Sequence, residues 1–426
     1  MINSIAERLG SGLYLGHTNN SPTGAYDVVD KTDRYKNEID LLLACSQRIS
    51  TPELCNRIAP ILAQDIDWDF LFRVCYRNAV FPLVFRRLLQ IESAALPSDV
   101  KSSVTDALKL HTENNMFLTS QIIRIVKMFE AAAIPLLPFK GPLLSIQAYR
   151  DPGLRTYGDL DLLVQPKHLD KAIRLLREKG YTPVTSVSWL QKSNWFISRQ
   201  KDVHFVDSDG RTVLELHWKL SGSHFGLPKD MNRLWERLES VQVAGHAIPS
   251  LSFNDLLIYL CLHGSRHGWE RFGWICDVYY LITSREEIDW ESIVTESKRL
   301  GCENVVALGL KLVEKFFGFP TPEAFADSTV QHPVFDGIVT QITARLFAAG
   351  PVQFELGERY AYHLKLKERR LDKWKLHIHY LSWYLRIIVT PNQMDRDVLH
   401  LPRAMFPLYY LTRPFRLART YLFKSR

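Results

Sequence analysis

The fold is decided by one stretch, Leu136–Val164, which reads LLPFKGPLLSIQAYRDPGLRTYGDLDLLV. The apolar run of residues 134–139, which overlaps the start of this stretch, predicts a strand. The pair Lys140-Gly141 then leads into a short segment of helical periodicity. A turn rich in Asp, Pro and Gly follows at residues 151–153. The stretch ends on GDLDLLV, residues 158–164, a strand pattern with carboxylates at alternate positions. It therefore predicts a strand, a turn, a short helix and a second strand in succession.

The alternating carboxylates are the first chemical signal in the chain. Side chains alternate along a strand, so Asp159 and Asp161 point to one face while Leu160, Leu162 and Val164 point to the other. Two like charges side by side raise each other's pKa, and a divalent cation relieves the repulsion. Mg²⁺ takes one or two carboxylates together with substrate phosphates. The pattern predicts a Mg²⁺ (or Mn²⁺) site, and the alternative is a solvated edge strand.

A third carboxylate belongs with this pair. Residues His204–Trp218 read HFVDSDGRTVLELHW, two β-rich runs around Asp209-Gly210, which is a strong hairpin signal. On the second run Glu215 and His217 share a face, and that face can lie beside the Asp pair in an adjacent strand. Three carboxylates on neighbouring strands suit a two-metal site for in-line attack on a phosphoryl group.

These pieces resemble the nucleotidyltransferase superfamily typified by DNA polymerase β, and more closely a bacterial family of uncharacterised nucleotidyltransferases. The resemblance extends loosely over most of the chain, with helical signatures on both sides of the core. The most specific matching pieces are Phe139–Leu144, Arg155–Val164 and Glu215–Trp218. The looser signatures are Asp67–Arg87 and His263–Asp277.

The resemblance implies an α+β fold, in which helical blocks flank a nucleotidyltransferase-like mixed-sheet core. It also implies transfer of a nucleoside monophosphate from a nucleoside triphosphate, ATP first among them, to a hydroxyl acceptor with Mg²⁺ (or Mn²⁺). Asp159, Asp161 and Glu215 would be the catalytic and metal-binding residues, with Glu215 and Asp161 holding the attacking hydroxyl. The implied nucleotide-binding residues are Lys140, Gly141, Arg155 and Gly158.

One position departs from the superfamily pattern. The first turn usually carries Gly-Ser or Gly-Gly, whereas here Pro142 follows Gly141 and has no N–H to offer a phosphate. Either Lys140 compensates as a phosphate-binding point charge, or nucleotide binding is weaker. The same departure supports a rival hypothesis, a catalytically degenerate member that acts as a binding or scaffold subunit.

The acceptor is left open between three chemical classes. Toxin-like relatives with a similar Lys-Gly and Asp-x-Asp core act on tRNA, so RNA is one. The family that the chain resembles is also associated with gene groups for cell-surface polysaccharide and for peptide modification. These associations suggest a saccharide or a peptide hydroxyl as the acceptor.

Four further residues are candidates for facing the substrate: His217, His263, Arg266 and His267. His263 and His267 stand four apart, with Asp277 beyond, which is a spacing that zinc sites use. Gly264 and Gly268, however, are expected to break the helix that would set this spacing. A role toward substrate or in structure is therefore favoured over zinc. For Arg155 the alternative to a phosphate contact is a salt bridge with Asp159.

Composition restricts the class of protein. The chain has 426 residues, of which 46% are hydrophobic and 23% charged, as is usual for a globular protein. It has no long uncharged apolar run and no evident secretory signal, which predicts a cytoplasmic protein. Its 6 cysteines lack metal-binding spacing and are expected to be reduced core thiols.

Four regions are expected: a poorly ordered leader at 1–35, a helical block at 36–110, the nucleotidyltransferase core at 111–245 and a helical block at 246–426. Residues 359–426 carry 15 Lys and Arg against 4 Asp and Glu, interleaved with aromatic residues, which indicates contact with an anionic surface. Residues 401–426 either dock on the protein's own helices or rest on anionic lipid at the inner membrane face. Pro407 and Pro414 predict two short helices there.

Overall fold

The computed structural model describes residues 33–91, 96–184, 200–221, 232–325, 333–350, 354–390, 395, 405–406 and 408–422. The expected leader lies outside the described residues up to position 32. The described residues up to Leu366 belong to one compact unit, and those of Lys367–Arg426 to another. Among the helices in these ranges, none has the length and hydropathy needed to cross a membrane.

Four helices open the first unit: α1 Lys36–Cys45, α2 Thr51–Leu62, α3 Trp68–Arg77 and α4 Phe81–Gln90. Asp67 caps α3, because its side chain accepts a hydrogen bond from the Phe70 N–H. A long helix, α5 Ser98–Ala131, follows and spans the boundary that the sequence places at residue 110. These helices bury apolar faces, and within the part of the chain that the structure describes they contribute no residue to a metal-like group.

The core is a mixed sheet whose strands are β1 Leu137–Pro138, β2 Asp159–Leu163, β3 Thr182–Pro183, β4 Asp202–Val206 and β5 Val213–His217. Their order is β1-β2-β5-β4-β3, with β2 and β5 parallel and the other pairs antiparallel. The predicted α+β fold with a mixed sheet is confirmed. The strand expected at 134–139 is shorter than predicted, because Pro135 and Pro138 have no N–H to give a ladder.

One face of the sheet is closed by helices. Between β1 and β2 lie the short α6 Gly141–Leu144 and a π-helical turn, Ser145–Tyr149. Helix α7, Leu169–Glu178, follows β2. Leu160, Leu162, Leu214 and Leu216 point away from the carboxylates and are buried in one cluster with apolar residues of α5 and α7. The opposite face is left for polar side chains.

The rest of the first unit is a hairpin and a helical array. Helix α8 Asn232–Trp235 precedes the hairpin of β6 Glu239–Val243 and β7 His246–Ser250. The later helices are α9 Phe253–Arg266, α10 Phe272–Ile282, α11 Trp290–Leu300, α12 Glu303–Phe317, α13 Pro333–Leu346 and α14 Leu356–Lys365. All 6 cysteines are free, and all are buried except Cys55, which is half-buried.

The second unit contains α15 Arg370–Val389 and α16 Leu408–Leu422, which contact each other. The prediction of two short helices separated by Pro414 is wrong, because α16 continues through that residue. The proline removes one backbone donor from the helix without ending it. Arg413 and Arg416 of α16 both pair with the buried carboxylate of Asp395.

Candidate functional site

The polar face of the sheet is assembled by strand register. In the parallel pair, Asp161 of β2 lies directly opposite Glu215 of β5. In the antiparallel pair, His204 lies opposite Glu215 and Asp202 lies opposite His217. Because opposed residues of paired strands project to the same side of a sheet, these side chains share one face. The predicted pairing of the Asp strand with the Glu strand is present, and β4 adds two residues that sequence analysis did not single out.

His217 is at the centre of this face. Its Nε2 lies 3.2 Å from Asp161 Oδ1 and 3.2 Å from Glu215 Oε2. Its Nδ1 lies 3.6 Å from Asp202 Oδ2 and has no hydrogen-bond partner within the described ranges. The imidazole is 3% exposed, so its polar atoms depend on these neighbours.

Lys140 reaches the same face from the turn before α6. Its Nζ lies 3.1 Å from Asp161 Oδ1, and the two side chains are 14% and 2% exposed. The turn depends on Gly141, which has a φ of +54° and passes so close to β2 that a Cβ would lie 3.3 Å from the Asp159 carbonyl oxygen. Lys140 therefore supplies an internal counter-charge to a buried carboxylate.

The carboxylates on this face have different pKa values. Burial, followed by the charge of Asp161, raises the pKa of Asp159 to about 6. Burial would also raise the pKa of Asp161, but the Lys140 charge and the His217 hydrogen bond hold it well below its ordinary value. Burial would raise the pKa of Glu215 too, but its hydrogen bond with His217 and the charges of His217 and His204 together lower it. Asp161 is thus the best-compensated anion of the three.

Two groups on this face have the composition of a metal site. Asp161, Glu215 and His217 each offer a ligand atom, and these atoms lie within 4.8 Å of one another. Asp202, His204 and Glu215 form a second group of the same kind. The Asp159 carboxylate belongs to neither, although it was expected beside Asp161 and Glu215. Two carboxylates and an imidazole around a common centre are a chemically suitable donor set for a divalent cation.

Arg155 is paired with an acid from another part of the chain. Its Nε lies 2.8 Å from Asp277 Oδ1 and its Nη2 lies 3.0 Å from Asp277 Oδ2, so the pair is bidentate. The Tyr149 hydroxyl donates to the same Oδ1 at 2.8 Å. The partner of Arg155 is therefore Asp277 and not Asp159, and its predicted contact with phosphate stays a prediction. Asp277, which was considered as a metal ligand with the two histidines, is the counter-ion of Arg155.

The histidine pair at the end of α9 is intact, and the expectation that Gly264 breaks this helix is wrong. Gly264 lies inside α9, where a Cβ would come within 2.4 Å of the Trp269 ring, so glycine is required there for packing. The rings of His263 and His267 are 4.9 Å apart. Arg266 contacts His267 Nε2 at 3.0 Å, and burial lowers the pKa of both histidines. Within the described ranges, no metal-like group includes them.

The remaining sequence-predicted residues are placed as follows. Gly158 directly precedes β2, and Pro142 occupies the first turn of α6, where its missing N–H leaves no intrahelical bond unmade. Asp202 and His204 were missed, although a signal was present. Counting back from the Asp209-Gly210 turn places them opposite His217 and Glu215, so the hairpin pattern alone contains that pairing.

Comparison with known proteins identifies relatives of the chain. A family model described as "Uncharacterised nucleotidyltransferase" matches residues 64–318, a segment that includes every residue of the polar face. A solved structure of an antigenic nucleotidyltransferase-like protein from Paracoccidioides brasiliensis has 12% sequence identity and a TM-score of 0.31. That match covers 52% of this chain and 92% of the other, and at such a TM-score it carries no weight for the fold. No curated protein matches the chain.

Proposed function

Because the chain belongs to the family of uncharacterised nucleotidyltransferases, we propose that it transfers a nucleoside monophosphate from a nucleoside triphosphate to a hydroxyl acceptor. The observation that carries the proposal is the register of β2 with β5, which sets Asp161 beside Glu215 within reach of Lys140. ATP is the first candidate donor. The acceptor belongs to one of three classes, a saccharide, a peptide or an RNA.

A divalent cation held by Asp161, Glu215 and His217 would neutralise triphosphate charge and acidify the attacking hydroxyl. Asp159 lies on the same face but does not belong to that group. We propose that it is a further carboxylate ligand for a cation that is bound to the substrate. Mg²⁺ and Mn²⁺ are the candidate ions.

Lys140 has the complementary role of binding phosphate. Its ammonium is already beside the site and is fixed by the turn at Gly141, so it can exchange Asp161 for a phosphate oxygen without a backbone movement. Such a point charge acts without the backbone N–H that Pro142 lacks. Catalysis then rests on position and electrostatics, with no covalent intermediate on the protein.

The test begins with ligand-dependent stability. A ligand that binds only the native state raises the melting temperature, so each nucleoside triphosphate is added with Mg²⁺ or Mn²⁺ to the wild type and to Asp161→Asn. Transfer is then followed with α-labelled nucleotide on saccharide, peptide and RNA fractions. We expect a shift for the wild type alone and label in one fraction. Absence of any nucleotide-dependent shift would favour the degenerate, scaffold hypothesis.

A second function is favoured by the surface of α15. Five apolar residues spaced three and four apart are each more than half exposed: Leu371, Trp374, Ile378, Leu381 and Leu385. Exposed cations on the same helix include Lys373 and Lys375. The segment Lys367–Arg426 has 13 Lys and Arg against 4 Asp and Glu. This charge opposes association of two copies and suits an anionic surface.

We propose that this helix rests on anionic lipid, with its apolar residues at the headgroup boundary. Each Lys or Arg near such a surface adds about 1 kcal/mol of attraction. The peripheral location at the inner membrane face follows from this proposal and is separate from the chemistry at the sheet.

A further inference from the structure

The environment of His217 specifies more than a generic magnesium site. A neutral imidazole has one nitrogen that donates and one that accepts, whereas an ionised carboxylate only accepts. Nε2 lies 3.2 Å from both Asp161 Oδ1 and Glu215 Oε2, so it is the nitrogen aimed at these two carboxylates. Nδ1 lies 3.6 Å from the Asp202 carboxylate and has no hydrogen-bond partner within the described residues. One nitrogen of this buried ring therefore lacks the partner that a buried polar atom requires.

His217 would give the Nε2 lone pair to a cation held by Asp161 and Glu215, and the ring hydrogen would then stand on Nδ1, toward Asp202. This would be a carboxylate–histidine–metal arrangement, in which the outer carboxylate fixes the tautomer and orientation of the ligand. The buried nitrogen that has no hydrogen-bond partner in the described part of the chain would thereby have a role as donor.

Resting on the proposed metal site, we propose that His217 Nε2 is a direct metal ligand positioned by Asp202, and that the site takes a first-row transition ion in preference to Mg²⁺. Magnesium favours an all-oxygen octahedron. An imidazole among carboxylates raises the affinity for transition ions relative to Mg²⁺. Asp202 is itself paired with Lys201, which holds this outer carboxylate in place.

His204 is the competing nitrogen on this face. Its Nε2 lies 3.6 Å from Glu215 Oε1 and 3.9 Å from Asp202 Oδ1, and its side chain is 47% exposed. A cation in the group of Asp202, His204 and Glu215 would also have a nitrogen ligand. His204 therefore provides the matched control, since it is a histidine on the neighbouring strand that contacts the same glutamate.

The experiment measures metal binding without nucleotide, so its outcome does not depend on nucleotidyl transfer. Mn²⁺ is titrated into the full chain by electron paramagnetic resonance, in the presence and absence of excess Mg²⁺. Electron spin-echo envelope modulation then detects a coordinated imidazole through its ¹⁴N coupling. Wild type, His217→Asn, His204→Asn and Asp202→Asn are compared, and circular dichroism establishes that each variant is folded. Wild type labelled with ¹⁵N-histidine gives the same information without any substitution.

We expect ¹⁴N modulation in the wild type and in His204→Asn. In the labelled wild type, ¹⁵N modulation should replace it. In His217→Asn, the ¹⁴N modulation should be lost. Mn²⁺ should resist displacement by Mg²⁺ except in His217→Asn. Asp202→Asn should weaken Mn²⁺ binding by about 10- to 100-fold while the coupling persists at saturation. Mn²⁺ bound without histidine coupling, a coupling lost in His204→Asn instead, or no Mn²⁺ binding at all would overturn the proposal.

Discussion

The Lys140 ammonium lies 3.1 Å from Asp161 Oδ1, so the cation proposed for phosphate is already paired with the carboxylate proposed for metal. Asp161, together with nearby acids, raises the pKa of Lys140 against the lowering effect of burial. The pair keeps a largely buried anion compensated in the metal-free protein. Under the proposed function, a metal ion and Lys140 would compete for Asp161, and a bound nucleotide would draw Lys140 to phosphate.

Replacement of Lys140 separates these two roles. We expect Lys140→Ala to raise the affinity for Mn²⁺ alone, because the competing ammonium is gone, and to weaken binding of ATP with Mn²⁺ by about tenfold or more, the equivalent of one charged hydrogen bond. Pro142→Ser should change ATP affinity less. Calorimetric titration of both variants measures this difference. A strong gain in Pro142→Ser with no effect in Lys140→Ala would mean that the native turn is simply impaired.

Asp161 and Asp159 should affect stability in opposite directions. Asp161→Asn leaves the Lys140 charge without its closest partner, and breaking a buried pair costs about 3–5 kcal/mol, with partial exposure placing this case at the lower end. Asp159→Asn removes a carboxyl whose pKa is raised to about 6 by burial and by Asp161. We expect that variant to be as stable as the wild type at acid pH and more stable at neutral pH. Urea unfolding without metal measures both.

The stability contributed by Asp159 depends on pH because its pKa differs between the folded and unfolded states. Its pKa is about 6 in the folded protein against an ordinary value of 3.8, so the folded state binds more protons between these values. Its contribution to stability is complete below about pH 4 and is lost as the pH rises through about 6. The advantage of Asp159→Asn should therefore grow over that interval by up to about 2 kcal/mol. An advantage that is constant from pH 4 to 7 would contradict the assignment.

The Arg155–Asp277 pair makes a purely structural prediction. Asp277→Asn removes the partner of a nearly buried guanidinium and weakens the Tyr149 hydrogen bond, which we expect to destabilise the fold by about 3–5 kcal/mol. The double variant Arg155→Met, Asp277→Asn should be less destabilised than the sum of the single changes. Denaturant unfolding of the four proteins gives the coupling energy. Additive effects would show that the two side chains do not act as a pair.

The α15 surface predicts a binding phenotype without a stability phenotype. Trp374→Ser with Ile378→Ser should release the protein from phosphatidylserine vesicles at low salt, because both side chains are exposed and cationic residues flank them. Tyr76→Ser, at an exposed aromatic residue of the first unit, is the control. The melting temperature should be unchanged in both. If the double variant still binds vesicles but loses binding to RNA or to an acidic polysaccharide, that polymer and not lipid is the partner of these residues.

Local pattern was sufficient for the parts of the site that lie on single strands. The alternation in β2 places both Asp residues on one face, and the Asp-Gly turn locates the hairpin that carries Glu215. The strand patterns predict the Glu215 strand beside the Asp strand but set no direction for the pairing. That β2 and β5 pair in parallel could not be predicted, since about 50 residues separate the strands and no local rule brings them together. To predict Asp202 and His204 as part of the site, the register of the hairpin is needed. The position of the turn sets that register, whereas residue type alone does not reveal it.

Long-range contacts account for what sequence analysis could not predict. Arg155 and Asp277 are distant in the chain and meet only through packing of α10, so their pairing could not be predicted from the sequence. Gly264 is helical because Trp269 fills the space above it, which overrides its low propensity. Pro414 stays inside α16 despite its missing donor. At both Gly264 and Pro414, the surrounding structure outweighs the low helix propensity of the residue.

Under the proposed function, the face formed by β2 and β5 binds nucleoside triphosphate through a divalent cation. This binding is measured by calorimetric titration of ATP into the wild type, with Mn²⁺ and with chelator, and into Asp161→Asn with Mn²⁺. We expect one binding event for the wild type that requires the cation and disappears in Asp161→Asn, while circular dichroism shows that the variant is folded. ATP binding of equal affinity with chelator, or in Asp161→Asn, would contradict it.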